Sequence, residues 1–369
     1  MNSTTLFPGR YVQGADALKR LGKEVLRLGN HGFVICDPFV YENLLPSFKS
    51  EMESAIKISL QRFEGECSDE EISRLVIEAK ASDVNVVVGI GGGKTVDTAK
   101  AVAHDLKTPV AIVPTLASTD APCSALSVIY TSDGEFKRYL VLDKNPDLVL
   151  VDTKVVVNAP ARFLVAGMGD ALATWFEAES CKQSYAANMS GDVGSMTAHA
   201  LAKLCFETLI EHGLEAKLAC EAKSVVPALE HVVEACTLLS GLGFESGGLA
   251  SAHAIHNGLT ALEATHAYFD GELVTIGTLA SLVLTDKSKD TIDKVFSFCE
   301  TVELPISLAD IGLKNVKDEE LMQVANLTCA EGETIHNEPF SVTPEKVFYA
   351  LKTMDAIGCS RKSRRNNCK

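Results

Sequence analysis

The sequence predicts an α/β fold in two parts: a parallel-sheet α/β domain over residues 1–160 and an all-α domain over residues 161–369. Two observations support this prediction. Short apolar runs alternate with helical patterns before Pro160, and long alanine- and leucine-rich helical patterns follow it. The length of 369 residues and the hydrophobic content of 46% also favour two cores, because single cores stop growing at about 250–300 residues.

The N-terminal part alternates buried strands with helices. Apolar runs predict strands at residues 33–36, 84–88, 110–113 and 148–151, with helices at 69–81 and 95–106. Elements that alternate in this way form a parallel sheet with crossover helices. The break at Asn158-Ala159-Pro160 indicates the domain boundary. Beyond it, helical periodicity covers residues 163–182, 197–212, 226–240 and 249–262.

The charge balance limits the classes of partner. The formal net charge of −15 argues against nucleic acid or an anionic membrane as a partner, because both are bound by clustered Lys and Arg. A basic cluster at residues 361–365 is better explained as a solvated terminus than as a nucleic-acid arm. Residues 1–10 contain no apolar signal region, and no apolar run approaches a membrane span. We therefore expect a cytoplasmic protein.

The cysteines favour the same compartment. There are eleven of them, without a paired CxxC pattern, which argues against both a zinc-binding cysteine motif and a disulfide framework. Six lie in apolar stretches and are predicted to be small buried hydrophobic residues in a reducing environment: Cys123, Cys181, Cys205, Cys220, Cys236 and Cys299.

A glycine-rich segment at residues 86–95 combines a strand, a tight turn and a helix start. Glycines let the backbone approach a diphosphate closely, and a helix N-terminus offers free N–H groups and a partial positive charge. The segment is neither a strict GxGxxG nor a Walker A motif, and a plain βα turn is the alternative. Four glycines in five positions favour nucleotide binding, with Gly91, Gly92 and Gly93 as the binding residues.

Asp37 follows the apolar run Val34-Ile35-Cys36. An acidic residue at the end of such a strand can accept both hydroxyls of an adenosine ribose and repels a 2′-phosphate, which favours NAD over NADP. Taken alone, Asp37 could equally be a turn or N-cap residue.

Three further residues are candidates for a site in the helical part. His253 and His256 are three positions apart on one helical pattern, so both project to a similar face. A single histidine there would more often be a core residue, but two of them followed by Asn257-Gly258 favour a site. Asp170 follows Gly167 and Gly169 and is either a helix cap or a metal ligand.

Seven segments, in the same order along the chain, resemble the glycerol dehydrogenase family. They are FEGEC at 63–67, GIGGGKT at 89–95, PTLASTDAPCS at 114–124, GMGDALA at 167–173, FESGGL at 244–249, HAIHNG at 253–258 and CAEGETIHN at 329–337. The resemblance extends from about residue 8 to about residue 358. This family belongs to the iron- and zinc-dependent alcohol dehydrogenase superfamily, which also includes dehydroquinate synthase.

The resemblance implies a dehydroquinate synthase-like architecture, with an NAD-binding domain over 1–160, a helical metal and substrate domain over 161–369, and the active site in the cleft between them. It implies a homo-oligomer. It assigns Asp120 to the substrate, and Asp170 and His253 to a metal ion. The resemblance also implies contacts with NAD for eight residues: Asp37, Gly93, Lys94, Thr115, Ser118, Ser124, Leu126 and Tyr130. To these predicted cofactor-binding residues we add Gly91, Gly92 and Asp97.

The third expected metal ligand departs from the family pattern. Glycerol dehydrogenases carry a histidine directly before a Gly-Glu pair, where this sequence has Asp270; His266 is not an obvious replacement. A site in which two carboxylates and one imidazole bind Zn²⁺ has no net charge. Such a site should acidify a bound alcohol less, and it should bind Mn²⁺ or Fe²⁺ in place of Zn²⁺ more readily. Asp270 is therefore interpreted as a working ligand, a weakened ligand, or the sign of lost catalysis, and we favour the first.

The resulting expectation is an NAD-dependent dehydrogenase that oxidises glycerol or a related vicinal diol to dihydroxyacetone, with Zn²⁺ polarising the alcohol. Its catalytic residues are expected to be Asp120, His253 and His256, the last beside the metal or in a proton relay. Residues 163–180 and 244–272 contain no Lys or Arg, which disfavours a phosphorylated substrate. The alternatives are a 2-hydroxycarboxylate or other small-alcohol dehydrogenase and an inactive NAD-binding protein.

Overall fold

The structure is a computed structural model that describes residues 1–367. The chain divides into two compact units. The sheet unit comprises Leu6–Ala161 and Ala219–Gly241, and the helical unit comprises Met1–Thr5, Arg162–Leu218 and the chain from Leu242 onward. This division differs from the predicted halves in two segments, because Ala219–Gly241 belongs with the sheet and Met1–Thr5 with the helices.

The described residues form eight strands. They are β1 (Tyr11–Gly14), β2 (His31–Cys36), β3 (Lys57–Arg62), β4 (Val86–Gly91), β5 (Val110–Pro114), β6 (Leu126–Tyr130), β7 (Phe136–Val141) and β8 (Leu148–Asp152). Six of them make a parallel sheet in the order β1-β8-β5-β4-β2-β3, and β6 pairs with β7 antiparallel. β2, β4, β5 and β8 are buried along their whole length, as expected for a parallel sheet covered on both faces.

The α-helices of the described chain surround this sheet or form the helical unit. They are α1 (Leu21–Val25), α2 (Lys49–Ala55), α3 (Asp69–Ala81), α4 (Gly93–Leu106), α5 (Thr153–Asn158), α6 (Ala161–Ser184), α7 (Met196–Glu221), α8 (Pro227–Glu234), α9 (Ser240–Gly247), α10 (Ser251–Leu259), α11 (Asp270–Leu284), α12 (Lys289–Val302), α13 (Asp318–Thr328) and α14 (Pro344–Asn367). Within its described residues the helical unit contains only isolated β-bridges besides helices. The predicted fold class is confirmed.

Two glycines bring α6 and the start of α11 into backbone contact within the helical unit. A Cβ added to Gly169 would lie 2.3 Å from the carbonyl oxygen of Gly271, and one added to Gly271 would lie 1.9 Å from that of Ala166. Side chains at either position would therefore separate the two helices. This contact places Asp170 of α6 near Asp270, the first residue of α11.

The predicted strands and helices of the sheet unit are present, but the structure adds three features. β1 and β3 form the two edges of the sheet, and the β6–β7 hairpin stands apart from it. β3 is partly exposed and carries the polar sequence KISLQR, so it lacks the apolar signal of a buried strand. A π-helical segment, Ala235–Leu239, joins α8 to α9.

The six cysteines predicted to be buried are all buried. Burial also raises the pKa of the Cys36 and Cys67 thiols to about 12. These thiols are therefore inert apolar packing groups at neutral pH.

No helix in the part of the chain that the structure describes has both the length and the apolar character needed to cross a membrane.

Candidate active-site residues in the two units

In the sheet unit, β4 leads into a turn formed by Gly91, Gly92 and Gly93, called here the glycine turn, and the chain then continues into α4. Gly92 is the N-cap of α4. A Cβ added to Gly91 would lie 2.5 Å from Asp37 Oδ2, whereas one added to Gly92 or Gly93 would meet no atom closer than 3.7 Å. An added Cβ would therefore make only ordinary van der Waals contacts at Gly92 and Gly93. The first N–H groups of a helix have no partner within the helix, so the start of α4 forms a natural anion site.

Asp37 joins the end of β2 to this turn. Its Oδ1 accepts a hydrogen bond from the backbone N–H of Val40 at 2.8 Å, and its Oδ2 accepts one from that of Gly92 at 3.3 Å. The carboxylate thus acts as a local turn cap, one of the interpretations that the sequence left open, and it also braces the glycine turn. Its contact with a ribose stays a prediction.

Two other predicted cofactor residues lie next to the turn. The backbone N–H of Thr115 donates to the Gly91 carbonyl at 3.0 Å. Lys94 forms an ion pair with Glu66, and its Nζ lies 5.3 Å from the centre of the Tyr130 ring. Ser118 lies in the loop after β5 and is partly buried.

Asp97 and the buried Lys100 hold the segment that leads into β6. Their side chains form an ion pair, with Nζ 2.9 Å from Asp97 Oδ1, and Asp97 Oδ2 accepts the backbone N–H of Val128 at 2.9 Å. Lys100 also donates to the carbonyls of Ala121, Ser124 and Leu126. Both oxygens of Asp97 are thus engaged by the protein, which gives it a bracing role for a segment that includes two predicted cofactor residues. The sequence analysis missed Lys100, although an Asp and a Lys three positions apart on a buried helix face were a visible signal.

Asp120 precedes the short 3₁₀ turn Ala121–Cys123. Its Oδ2 accepts a hydrogen bond from the Ser240 hydroxyl at 2.9 Å, and a Cβ on Gly241 would lie 3.0 Å from its carbonyl oxygen. The segment Ala219–Gly241 therefore contributes to fixing Asp120 within the sheet unit.

In the helical unit, α6 and α10 bring together two of the predicted metal ligands. Asp170 Oδ1 lies 3.5 Å from His253 Nε2. Asp170 is in the interior of α6, which begins nine residues earlier, so the interpretation of Asp170 as a helix cap is wrong. Gly169, directly before it, serves the contact with α11 instead.

Glu177 completes this arrangement, and the sequence analysis did not identify it. Its Oε2 lies 2.5 Å from His253 Nδ1, and its Oε1 accepts the backbone N–H groups of His253 at 3.0 Å and Ala250 at 2.9 Å. The Glu177 side chain is 1% exposed. A carboxylate on Nδ1 keeps a proton on that nitrogen, so Nε2, which faces Asp170, is the nitrogen that a metal ion would bind in place of a proton.

The electrostatic field at His253 favours a cation. Burial alone would lower the pKa of this imidazole, yet Glu177 and Asp170 together outweigh burial and raise it well above its ordinary value. A pocket that attracts a proton this strongly also attracts a divalent metal ion, for the same electrostatic reason.

A second histidine–carboxylate pair lies nearby in the same unit. His256 Nε2 is 3.7 Å from Asp270 Oδ1. This nitrogen is buried and has no hydrogen-bond partner among the described residues, whereas the Asp270 side chain is 67% exposed. Across residues 1–367, no three His, Cys, Asp or Glu side chains stand close enough to hold one ion. The four residues therefore form two pairs.

Glu338 is a further buried carboxylate that the sequence analysis missed. It accepts hydrogen bonds from the backbone N–H of Ser251 at 3.2 Å and from the Ser251 hydroxyl at 2.5 Å. Burial raises the pKa of the Glu338 carboxyl. Together with Glu177 it satisfies N–H groups at the start of α10, which fixes the helix that carries both histidines.

Comparisons with known proteins identify the family of the chain. A family model described as iron-containing alcohol dehydrogenase matches residues 8–153. The chain is 64% identical to a glycerol dehydrogenase of Thermotoga maritima, over 98% of this chain and 100% of that protein. It is 45% identical to a glycolaldehyde reductase of Halobacterium salinarum, over 97% and 98% of the two proteins. A crystal structure of glycerol dehydrogenase from Schizosaccharomyces pombe matches with a TM-score of 0.94 at 38% identity, over 99% of this chain and 93% of that one.

The fold and these matches define the class of the protein as an oxidoreductase with a glycine-rich turn in its sheet unit and a histidine–carboxylate site in its helical unit. The chain belongs to the iron-containing alcohol dehydrogenase family, in the part of it that includes the glycerol dehydrogenases. The resemblance predicted from the sequence motifs is confirmed.

Proposed function

We propose that the chain oxidises glycerol to dihydroxyacetone by transferring a hydride to NAD, and that related vicinal diols react in the same way. The observation that carries this proposal is the Asp170–His253 pair, 3.5 Å apart, with Glu177 on the opposite nitrogen of the ring. Such an arrangement suits a divalent cation that acts on an alcohol. Relatives named glycerol dehydrogenase support the choice of substrate.

The glycine turn supports NAD as the hydride acceptor. Gly92 and Gly93 would hold the diphosphate, because they begin α4 and carry no side chain that could block the N–H groups of its first turn. The Asp37 carboxylate favours ribose hydroxyls over a 2′-phosphate. Further cofactor contacts are proposed for Lys94, Thr115, Ser118, Ser124, Leu126 and Tyr130.

The residues of the helical unit suit a divalent metal ion, and Zn²⁺, Mn²⁺ and Fe²⁺ all accept carboxylate and imidazole ligands. Asp170 and His253 would hold the ion, and Asp270 is the proposed third ligand. Glu177 would keep the proton on His253 Nδ1 and so leave Nε2 free to bind. When bound, the ion would lower the pKa of the alcohol hydroxyl, and NAD would take the hydride.

The charges around this site favour a neutral substrate. Residues 163–180 and 244–272 contain no Lys or Arg. Arg162, which directly precedes the first segment, is held by Glu272 through two hydrogen bonds of 2.7 and 2.8 Å, so its charge is already balanced. A phosphorylated or carboxylate substrate would need a cationic partner. In this proposal the Asp120 carboxylate accepts a hydrogen bond from a second hydroxyl of the polyol.

One relative favours a second candidate function. The Halobacterium salinarum protein at 45% identity is named a glycolaldehyde reductase. Reduction of a hydroxyaldehyde by NADH uses the same hydride donor and acceptor positions in the opposite direction. The same residues would therefore serve it without change.

The test is metal removal and restoration. The purified chain is stripped with a chelator, reloaded with Zn²⁺, Mn²⁺ or Fe²⁺, and assayed for NADH formation from glycerol at alkaline pH. Parallel assays use 1,2-propanediol, 2-hydroxy acids, and glycolaldehyde with NADH. Metal-restored oxidation of glycerol above the other substrates supports the proposal. Tight NADH binding without activity for any metal and substrate would instead indicate an inactive NAD-binding protein.

A further inference from the structure

The two histidine–carboxylate pairs of the helical unit share an unusual spacing. Their nitrogen–oxygen separations are 3.5 Å for His253 and Asp170 and 3.7 Å for His256 and Asp270. Both separations are longer than the about 2.7–2.9 Å of a charge-assisted hydrogen bond. Two ligands about 2.1 Å from one tetrahedral ion lie about 3.4 Å apart. Both separations are therefore compatible with two ligands of one ion.

His256 has an unsatisfied ring nitrogen next to a carboxylate. Its Nε2 is buried without a hydrogen-bond partner among the described residues, while its Nδ1 lies 3.3 Å from Asn257 Oδ1. Leaving a buried polar nitrogen without a partner costs about 1–3 kcal/mol of folding free energy. A ligand bound to this nitrogen would remove that cost. The amide oxygen on Nδ1 favours the tautomer in which the Nε2 lone pair is available.

The backbone brings the two pairs together. His253 and His256 are one turn apart on α10. Asp170 and Asp270 lie on either side of the contact between Gly169 and Gly271. The described residues still form two pairs rather than one set of ligands, so an ion between them requires side chains of the two pairs to turn towards each other.

We propose that His256 Nε2 is a direct ligand of the metal ion, together with Asp170, His253 and Asp270. This inference rests on the proposed function for the presence of the ion and deepens it. It supplies a second imidazole to a site that has a carboxylate at position 270. The donor set becomes two carboxylates and two neutral imidazoles, which suits Zn²⁺ and Fe²⁺ better than an all-oxygen set would. The alcohol would then bind as a fifth ligand.

The decisive experiment counts coordinated imidazoles in the Co²⁺-loaded, full-length chain. Paramagnetic Co²⁺ shifts the ring N–H proton of each bound histidine far outside the normal proton NMR range, and that signal disappears in D₂O. His253 and His256 each have an oxygen near Nδ1, Glu177 for one and Asn257 for the other, which keeps these protons in place. We expect two exchangeable shifted signals in the wild type. A single signal overturns the proposal and returns His256 to a proton-relay role.

Variants assign the signals. His256→Ala should leave one signal, and His266→Ala should leave two. His266 is a matched control because it is exposed and bonded to the Thr260 carbonyl. Asp270→His should give three signals, since it adds an imidazole at a ligand position. Two signals in Asp270→His would remove Asp270 from the set and overturn the four-ligand site.

Affinity provides an independent measurement. Competition with a chelator should show Co²⁺ binding weakened at least about tenfold in His256→Ala and unchanged in His266→Ala. In the Asp270→His background the loss of affinity caused by His256→Ala should be smaller, because two imidazole ligands remain instead of one. A loss that is equal in both backgrounds contradicts shared ligation.

The outcomes also separate this inference from the proposed function. Metal-restored glycerol oxidation with only one shifted signal leaves the function in place and rejects His256 as a ligand. Two shifted signals without any metal-dependent oxidation support the four-ligand site and reject the proposed reaction.

Discussion

At the scale of single residues, Glu177 shows how a buried side chain sets the chemistry of another. It lies seven positions after Asp170 on α6, about two helical turns, so both carboxylates project to one face. His253, which both carboxylates contact, is 76 positions beyond Glu177 in sequence. Nothing local marks this partnership, which explains why the sequence suggested Asp170 and His253 but not Glu177.

We expect Glu177→Gln to weaken metal binding about 10- to 100-fold while leaving the fold intact. The amide keeps an acceptor for the backbone at the start of α10 but removes the negative charge beside His253 Nδ1. The measurement is Zn²⁺ affinity by chelator competition. Glu179→Gln is the matched control, since Glu179 is on the same helix and pairs with Lys287 away from His253. Equal losses in the two variants would contradict the role assigned to Glu177.

Gly93→Ala adds a single Cβ atom at the proposed nucleotide site and so tests whether the diphosphate binds there. The new Cβ meets nothing closer than 3.9 Å within the protein, and alanine is favoured over glycine in a helix by about 0.5–1 kcal/mol. Unfolding stability should therefore be unchanged or slightly higher. The same Cβ would fill the space proposed for the diphosphate, so NADH affinity, measured by fluorescence titration, should fall at least about tenfold. Unaltered NADH binding would place the diphosphate elsewhere.

At the scale of elements, the contact between α6 and α11 depends on two glycines. Gly271→Ala would place a Cβ 1.9 Å from the Ala166 carbonyl oxygen, and a backbone atom cannot move aside cheaply. We expect a loss of about 3 kcal/mol or more in the free energy of unfolding, together with weaker metal binding. Urea denaturation measures the first effect. Gly93→Ala is the steric control, and similar stability for both variants would show that this contact adapts easily.

Helix and strand boundaries were predictable where a local signal exists. α3 begins after Ser68, whose hydroxyl accepts the backbone N–H of Glu71, and the predicted range 69–81 matches the helix. β2, β4, β5 and β8 are apolar because both of their faces are buried. β3 and the β6–β7 hairpin are partly exposed and lack that signal, so they became visible only when paired in the structure.

At the scale of the whole molecule, the basic cluster near the C-terminus is partly neutralised by the protein itself. Arg361 pairs with Asp293 at 3.0 Å and with Glu300 at 2.9 Å, and Lys362 pairs with Asp310. These contacts tie residues 361 and 362 of α14 to the rest of the helical unit, whereas Arg364 and Arg365 are exposed. The absence of a nucleic-acid partner stays a prediction.

Asp310 gives this end of the helical unit a pH dependence. Burial alone would raise its pKa, but Lys362 and the backbone N–H of Ile306 outweigh burial and lower it. The folded state therefore binds this proton less tightly than the unfolded chain. Its stabilisation is complete above the unfolded pKa of about 3.9 and is lost as the pH falls through the lower, folded pKa.

Asp310→Asn should consequently be less stable than the wild type by about 1–2 kcal/mol near neutral pH, with the difference shrinking below about pH 4. Urea denaturation at a series of pH values measures it. A difference that stays constant into acid would mean that the charge of Asp310 contributes nothing.

The sequence by itself determined the fold class, the glycine turn, the family and the identity of the Asp170–His253 pair. These features depend on local periodicity, on glycine conformation and on motifs that are contiguous in the chain. The tertiary structure alone decided that Ala219–Gly241 joins the sheet unit, that Glu177 and Glu338 hold the start of α10, and that Asp270 faces His256. Each of these depends on packing between segments far apart in sequence, where burial and charge act on groups that carry no local sign of their partners.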